Sequence, residues 1–218
     1  MLGQAPIILE YPAQVIILLL DSVGVFVFAI SGATLALRQR LDLFGVLMLA
    51  FVTALFGGIT RDLLLGATPP ETLTSWHNFA IAMVGGVFTI YAQTWVERIK
   101  WPVRLFDAIG LGLFAAAGAQ KALAYGVDPL MAPVVGMITG IGGGILRDVL
   151  VTRTPLVLQS EIYAVAALAG GVVVTLGAWA NLPALPMMLV GAALCVALRL
   201  LGLYRRWSLS VPRRGKLK

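Results

Sequence analysis

The sequence predicts an all-α membrane protein with seven transmembrane helices, and three observations support this fold class. Hydrophobic residues make up 60% of the 218 residues and charged residues only 12%, whereas soluble domains carry about 25% charged residues. The mean hydropathy is +0.95. Apolar runs of about 20 residues, the length that lets a helix cross the hydrocarbon core, recur along the whole chain.

Charged residues, prolines and asparagine separate these apolar runs, as expected at helix ends and in surface loops. Seven spans are predicted, at 13–37, 43–65, 77–96, 104–124, 129–151, 160–180 and 184–203. They make residues 1–218 a single membrane domain. No Lys or Arg precedes the first run, so we expect a retained first span and no cleaved signal peptide.

Basic residues predict the orientation, because Lys and Arg in short loops are retained on the cytoplasmic side. The segments after spans 1, 3, 5 and 7 contain Arg38, Arg40, Arg98, Lys100, Arg104, Arg153, Arg205, Arg206, Arg213, Arg214, Lys216 and Lys218. The N-terminus is therefore predicted outside the inner membrane and the C-terminus in the cytoplasm. Topology and contact with anionic membrane lipid explain the formal charge of +6, so no nucleic-acid partner is expected.

An internal repeat organises the chain. A shift of 86 residues aligns Asp21 with Asp107, Gly24 with Gly110, Phe28 with Phe114, Gly32 with Gly118, Asp42 with Asp128, Thr53 with Thr139, Gly57-Gly58 with Gly143-Gly144, Arg61-Asp62 with Arg147-Asp148, and Pro69 with Pro155. The first repeat covers about 13–100 and the second about 104–182, leaving the seventh helix and basic tail at 183–218. Because each repeat has an odd number of spans, the second copy must be inverted, an arrangement typical of midplane substrate or ion sites.

Glycines interrupt the second and fifth spans at equivalent positions. The first copy has Gly57 and Gly58, and the second has Gly142, Gly143 and Gly144. Glycine pairs are a known cause of kinks, so they predict freed carbonyls near Thr53 and Thr139, tolerable only where the backbone lines water or protein. We interpret them as kinked, cavity-lining segments; the alternative is that they only allow close helix packing. Phe56 stands in the position of Gly142, so the two kinks need not be equal.

Four charges follow these glycines, namely Arg61, Asp62, Arg147 and Asp148. A charge at the bilayer centre costs roughly 2.5–3.5 kcal/mol or more, so these groups should face protein or water. Neighbouring residues on a helix point about 100° apart, so each Arg is expected to find its partner elsewhere than on the adjacent Asp. Asp21, Asp107 or a neighbouring subunit are the candidates. This charged network either holds the helices together or sets the electrostatic field at the two ends of a permeation pathway.

Spans 1 and 4 supply one helical face each. Steps of three and four residues align Asp21, Gly24, Phe28, Ser31 and Leu35 in span 1, and Asp107, Gly110, Phe114, Ala117 and Lys121 in span 4. Either these faces only pack helices, or they form the wall opposite the glycine-rich helices. In the second case Phe28 or Phe114 would be an apolar constriction that gates by dewetting.

The stretches "GGITRDLLLG" and "GIGGGILRDVLV", one in each half of the chain, resemble the trimeric intracellular cation (TRIC) channel family. Some of its bacterial relatives carry the domain label glycine transporter. The resemblance covers about residues 18–203 and implies a homotrimer with a potassium-conducting pore in each subunit, bounded by the first two helices of each repeat. By motif, it implicates Gly57, Gly58, Arg61 and Asp62, and in the second copy Gly143, Gly144, Arg147 and Asp148.

The residues leave the kind of pathway open. A channel would use freed carbonyls, acids that balance arginines, and the hydroxyls of Ser31, Thr34, Thr53 and Thr139. A secondary transporter for glycine or another small zwitterion would use the same broken helices.

An enzyme is not expected, because a serine without a placed base is a weak nucleophile. With one His and one Cys, no metal site or cofactor is expected.

Overall fold

The computed structural model describes residues 11–96, 98–99, 101–159 and 162–205, with the side chains of 11–17 left aside. The basic tail predicted after Arg205 lies outside these residues. Ten helices form the described part: α1 Tyr11–Arg38, α2 Leu43–Leu64, α3 Glu71–Thr74, α4 Trp76–Tyr91, α5 Gln93–Val96, α6 Pro102–Ala124, α7 Ala132–Leu150, α8 Leu156–Gln159, α9 Ile162–Trp179 and α10 Ala184–Arg205.

The chain is an all-helical membrane protein with six helices long and apolar enough to cross a bilayer. Among the described residues these are Leu18–Arg38 within α1, together with α2, α6, α7, α9 and α10. The predicted third span, 77–96, is divided between α4 and the short α5. With 16 residues, α4 is about 24 Å long at 1.5 Å per residue. The helix ends at Tyr91 because Gln93, Thr94 and Trp95 are residues of a membrane surface rather than of its core.

The ends of the helices are set by local sequence. Asp42 caps α2, since its Oδ1 accepts from the Gly45 N–H at 2.8 Å. Proline occupies the first turn of α6 and of α7, where a missing N–H has no cost. Gly66 and Gly126 follow α2 and α6 with φ of 69° and 75°, the left-handed conformation that ends many helices.

The 86-residue repeat is present in the helix boundaries. α1 and α6 end at Arg38 and Ala124, and α2 and α7 end at Leu64 and Leu150, each pair 86 residues apart. α4 and α9 likewise begin 86 residues apart. The short helices α3 and α8, which the sequence did not predict, also occupy corresponding positions after α2 and α7.

Contacts between the two repeats are reciprocal. Gly110 faces the Phe28 ring while Gly24 faces the Phe114 ring, so α1 and α6 run antiparallel. A second antiparallel pair is formed by α2 and α7, since Gly57 lies against Thr139 and Gly143 against Thr53. The repeats are therefore related by an approximate two-fold axis that passes between these four helices. We call the contact surface of α1, α2, α6 and α7 the seam.

The other long helices pack around the seam through small residues. Gly85 of α4 lies against Ala29 of α1, and Gly171 of α9 lies against Pro133 of α7. α10 packs on α6 and α9, where Gly191 meets the Gly170 carbonyl oxygen at close range.

Candidate functional site

At the centre of the seam, α2 and α7 cross backbone to backbone. A Cβ on Gly57 would overlap the Thr139 carbonyl oxygen, and one on Gly143 would overlap the Thr53 carbonyl oxygen. Gly142 also contacts the Gly57 Cα atom. Both helices are uninterrupted through these positions, so the predicted freeing of the Thr53 and Thr139 carbonyls is wrong. Because glycine has no side chain, the two helices can cross in backbone contact. The Thr53 and Thr139 carbonyls are each covered by the facing helix.

The threonine hydroxyls near this crossing are satisfied within their own helices. Thr53 Oγ1 donates to the Leu49 carbonyl at 2.6 Å, and Thr139 Oγ1 donates to the Val135 carbonyl at 2.7 Å. Both threonines are fully buried. Gly32 and Gly118 lie against them from α1 and α6 in equivalent contacts. Such i−4 hydrogen bonds tend to bend a helix, and here they occur in both helices of the crossing.

Next to the crossing, two aromatic rings close the seam. Phe28 and Phe114 are stacked with centroids 5.3 Å apart and an interplanar angle of 29°. Both are buried. Each ring fits against the glycine of the facing helix, Gly110 or Gly24. The structure thus brings together the two phenylalanines that the sequence named as a constriction.

Each Arg-Asp motif forms an ion pair with itself. The Nε of Arg61 lies 2.8 Å from Asp62 Oδ1, and the Nε of Arg147 lies 2.9 Å from Asp148 Oδ1. The prediction that neighbouring residues cannot pair is wrong, because the long Arg side chain reaches around the helix although the two Cβ atoms diverge. The second carboxylate oxygens accept from the Glu71 and Leu156 N–H groups, both at 3.0 Å. The aspartates therefore fix α3 and α8 onto the ends of α2 and α7.

At the predicted cytoplasmic end of the seam, Arg147 joins three helices, α1, α6 and α7. Its Nη1 donates to Asp107 Oδ1 at 2.7 Å and to Ser31 Oγ at 2.8 Å. Asp107, one of the predicted partners of the motif arginines, is thereby confirmed as the partner of Arg147. Ser31 Oγ in turn donates to the Val103 carbonyl at 3.1 Å. Arg147, Asp107 and Ser31 are completely buried, so this cluster blocks the seam at its inner end.

Two residues that the sequence did not single out complete this inner cluster. The Tyr163 hydroxyl of α9 lies beside Gly144, and the guanidinium of Arg199 on α10 lies 4.5 Å from the centre of the Tyr163 ring. Among the described residues, Asp107 Oδ2, Arg147 Nη2 and the Tyr163 hydroxyl have no hydrogen-bond partner. The sequence does contain an indication of Arg199, because it is the first charged residue in the seventh apolar run.

At the opposite end of the seam, which the basic loops predict to be the outer end, Lys121 joins the two repeats. Its Nζ lies 2.9 Å from Asp62 Oδ1 and 2.8 Å from Glu71 Oε2. Glu71 was not predicted, because it lies in a loop helix rather than in an apolar run. The counterpart of Lys121 in the first repeat is Leu35, so the two ends of the seam carry different chemistry.

Asp21 and Gly58 also lie at the outer end, and line a small cavity with Arg61. No ion pair joins Asp21 to Arg61 among the described residues, whereas the equivalent Asp107 and Arg147 are paired. The equivalent aspartates of the two repeats therefore have different surroundings: Asp107 is in an ion pair, and Asp21 lines a cavity.

A larger cavity opens at the predicted cytoplasmic end of the seam. It has a volume of about 440 Å³ and is lined by Leu35, Arg38, Trp101, Val103, Arg104, Asp148, Arg153, Thr154, Leu156 and Gln159. We call it the vestibule. Three arginines and one aspartate supply its charges. Asp148 connects the vestibule directly to the buried Arg147 cluster.

Comparison with known proteins matches this architecture. The family model described as "Glycine transporter" matches residues 18–94 and again residues 104–179, one match in each repeat. The UPF0126 inner membrane protein YadS of Escherichia coli K12 is 40% identical over 195 residues, covering 88% of this chain and 93% of YadS. A UPF0126 membrane protein of Vibrio cholerae is 40% identical over 195 residues, covering 89% of this chain and 81% of that protein.

Two solved structures share the fold over their whole length. A prokaryotic TRIC channel crystallised in 0.5 M KCl is 34% identical, with a TM-score of 0.83 over 90% of this chain and 100% of that one. The TRIC orthologue from Rhodobacter sphaeroides is 33% identical, with a TM-score of 0.83 over 89% and 100% of the two chains. The chain therefore belongs to the glycine-transporter family of membrane proteins and, within it, to the prokaryotic relatives of the TRIC channels.

Proposed function

We propose that this protein is a monovalent cation channel permeable to potassium, and that it works as a homotrimer with one pore in each subunit. The pore follows the seam between α1, α2, α6 and α7. The observation that carries the proposal is the fold shared with solved TRIC cation channels over about the whole chain, with a TM-score of 0.83. Trimeric assembly is taken from the same likeness.

The order of groups along the seam supports this path. From the outer end it passes Lys121, Asp62 and Asp21, and reaches the middle of the seam, where the stacked Phe28 and Phe114 and the crossing of α2 and α7 lie. It continues to Arg147 and Asp107 and ends in the vestibule. Polar and charged groups inside a membrane protein usually mark such pathways. The apolar rings provide a barrier that can gate by dewetting.

The described conformation is that of a closed channel in this proposal. Stacked rings and two ion-pair clusters fill the seam between the vestibule and the outer surface. Conduction then requires α2 and α7 to move apart at the glycine crossing, and requires Arg147 and Lys121 to leave their present partners. Small residues at the crossing make such sliding possible, because no side chains interlock there.

The proposed topology has seven spans, with α4 and α5 together forming the third. The N-terminus lies outside and the C-terminus in the cytoplasm, in agreement with the basic loops. Repeats 13–100 and 104–182 are the two halves of the pore, and the helix after 183 braces the second half. Surrounding lipid contacts the outward-facing helix surfaces.

Planar-bilayer recording of the purified protein tests the proposal. We expect unitary potassium currents without any added co-substrate. The carrier alternative predicts saturable uptake of glycine into liposomes instead. Glycine uptake in the absence of unitary currents would overturn the channel proposal.

A further inference from the structure

A cavity at the outer end of the seam contains more polar groups than its packing needs. It lies between α1, α2, α3, α4 and α6, and has a volume of about 10 Å³, about the smallest that holds a single water-sized particle. Four polar residues line it: Asp21, Arg61, Thr72 and Asn78. The remaining wall is apolar and comprises Val25, Ala54, Leu55, Gly58 and Phe114.

Two of these polar side chains are buried without a partner. Thr72 is 8% exposed and Asn78 is 7% exposed, yet neither side chain makes a hydrogen bond with the described residues. Both side chains line the same small cavity, so a ligand held in it would have both within reach.

The charges around the cavity identify the kind of ligand. Arg61 and Lys121 are positive, and Asp62 and Glu71 pair with them at 2.8–2.9 Å. These four charges cancel. Asp21 is a half-buried carboxylate in the same cavity and makes no ion pair with the described residues, so it is the one acid here that a cation could neutralise. The Arg61 guanidinium also lines the cavity, but its charge is already opposed by Asp62.

From these observations we infer a binding site for one monovalent cation at the outer end of the seam. Its ligands are the Asp21 carboxylate, Thr72 Oγ1 and Asn78 Oδ1. Oxygen atoms of these three kinds are the ligands that hard cations prefer, and potassium is about as large as a water molecule. The inference deepens the proposed channel function, because a cation held here would stand directly above the Phe28 and Phe114 rings on its way through the seam.

The second repeat has no such site at the inner end. Val157 and Ala164 stand at the positions of Thr72 and Asn78, since Leu156 corresponds to Glu71 in donating its N–H to the motif aspartate. Asp107, the counterpart of Asp21, is already paired with Arg147 at 2.7 Å. The site therefore depends on residues by which the two repeats differ, and it makes the pathway asymmetric, with a cation site outside and an arginine-lined vestibule inside.

Thallium binding tests the inference directly. Thallium replaces potassium in oxygen sites and is detected by anomalous scattering. Crystals of the full-length protein grown in thallium salt should show one anomalous peak beside Asp21, Thr72 and Asn78. The same crystals of the Thr72→Val variant, which removes one ligand oxygen at constant charge and shape, should show a weaker peak or none. A wild-type crystal without a peak at this position overturns the inference.

Potassium-dependent stability gives an independent measure that needs no crystals. The thermal unfolding midpoint should rise as potassium replaces N-methyl-D-glucamine at constant chloride, because a ligand of the folded state stabilises it. In Thr72→Val the half-saturating potassium concentration should rise about tenfold, the effect of one lost polar contact. In Asp21→Asn the potassium dependence should disappear.

Glu71→Gln is the matched control. Glu71 carries the same charge at the same mouth but is an exposed partner of Lys121 and does not line the cavity. We expect its half-saturating concentration to stay close to that of the wild type. If Glu71→Gln and Asp21→Asn changed the potassium dependence equally and Thr72→Val did not change it, potassium would respond only to the overall electrostatic field at this end of the seam. That result would overturn the inferred binding site.

These measurements do not depend on conductance. A thallium peak in a protein without unitary currents would support the site and contradict the channel. Unitary currents in a protein without a peak and without potassium-dependent stability would support the channel and contradict the site.

Discussion

Gly57 of α2 lies so close to the carbonyl oxygen of Thr139 on α7 that no side chain fits between them, and Gly143 has the same relation to Thr53. The contact is reciprocal because the residues on the two helices are equivalent in the 86-residue repeat. It places the equivalent glycine segments of α2 and α7 face to face on an approximate two-fold axis. Everything proposed about the pathway depends on how these helices meet and separate.

Gly57→Ala and Gly143→Ala should each lower the thermal unfolding midpoint of the purified protein. The new methyl group would overlap backbone that cannot move aside, and overpacking typically costs about 1–3 kcal/mol. Gly24→Ala is the matched control, because the nearest atoms to its added Cβ are side-chain atoms at 3.5 Å. It should be neutral or stabilising, since alanine favours helix more than glycine does. Equal midpoints for all three variants would contradict the close crossing.

Arg147→Ala should be strongly destabilising. It would leave Asp107 buried and unpaired, and breaking a buried ion pair by removing one partner costs about 3–5 kcal/mol. The measurement is the yield and unfolding midpoint of folded protein in detergent. Arg147→Ala combined with Asp107→Ala should recover part of the loss. A double variant as unstable as the sum of both single variants would show that the two side chains are not coupled.

Phe114→Ala should increase potassium conductance or open probability in planar bilayers. Removing the ring shortens the apolar barrier that Phe28 and Phe114 form by stacking in the seam. Phe26→Ala is the control, because the Phe26 ring packs against Phe88 of α4 in a tilted pair, with centroids 5.7 Å apart. Its removal should leave the current unchanged. Unaltered currents in Phe114→Ala would exclude the rings as a gate.

Arg104→Gln and Arg153→Gln should increase potassium current at low salt. Both arginines line the vestibule, and their positive field lowers the local cation concentration. The effect should disappear near 1 M salt, where the screening length falls to about 3 Å, compared with about 30 Å at 0.01 M. Arg40→Gln changes the same charge in the loop after α1, outside the vestibule lining, and serves as the control. An increase that persists at high salt would contradict an electrostatic cause.

Much of this structure could be predicted from the sequence because the bilayer imposes simple rules. Apolar length predicted most spans, and the repeat of Asp21, Phe28 and Gly57 predicted an inverted partner for each helix. The third span was predicted as one helix, whereas the structure divides it between α4 and α5, since hydropathy alone does not reveal the change to aromatic and polar residues near Tyr91. The loop helices α3 and α8 are too short to produce a periodic pattern.

The site was harder to predict than the fold, for three physical reasons. Side-chain length lets Arg61 pair with Asp62 in spite of the helical angle between them. Glycine pairs are compatible with both kinks and crossings, and only the position of the facing backbone decides between them. Contacts of Lys121 with Glu71 and of Arg199 with Tyr163 join segments far apart in sequence, so no local pattern reveals them.

The central claim, a cation pathway within each subunit along the seam, is tested most directly by blocking single channels from the vestibule. In a Cys195→Ala background, Thr154→Cys places a thiol on an exposed position of the vestibule wall, and Phe44→Cys places one on an exposed position of α2 away from the vestibule lining. A cationic methanethiosulfonate reagent applied from the cytoplasmic side should reduce the Thr154→Cys potassium current in three discrete steps and leave the Phe44→Cys current unchanged. A current that vanishes in a single step, or that persists after complete labelling of Thr154→Cys, would contradict a separate pore in each subunit.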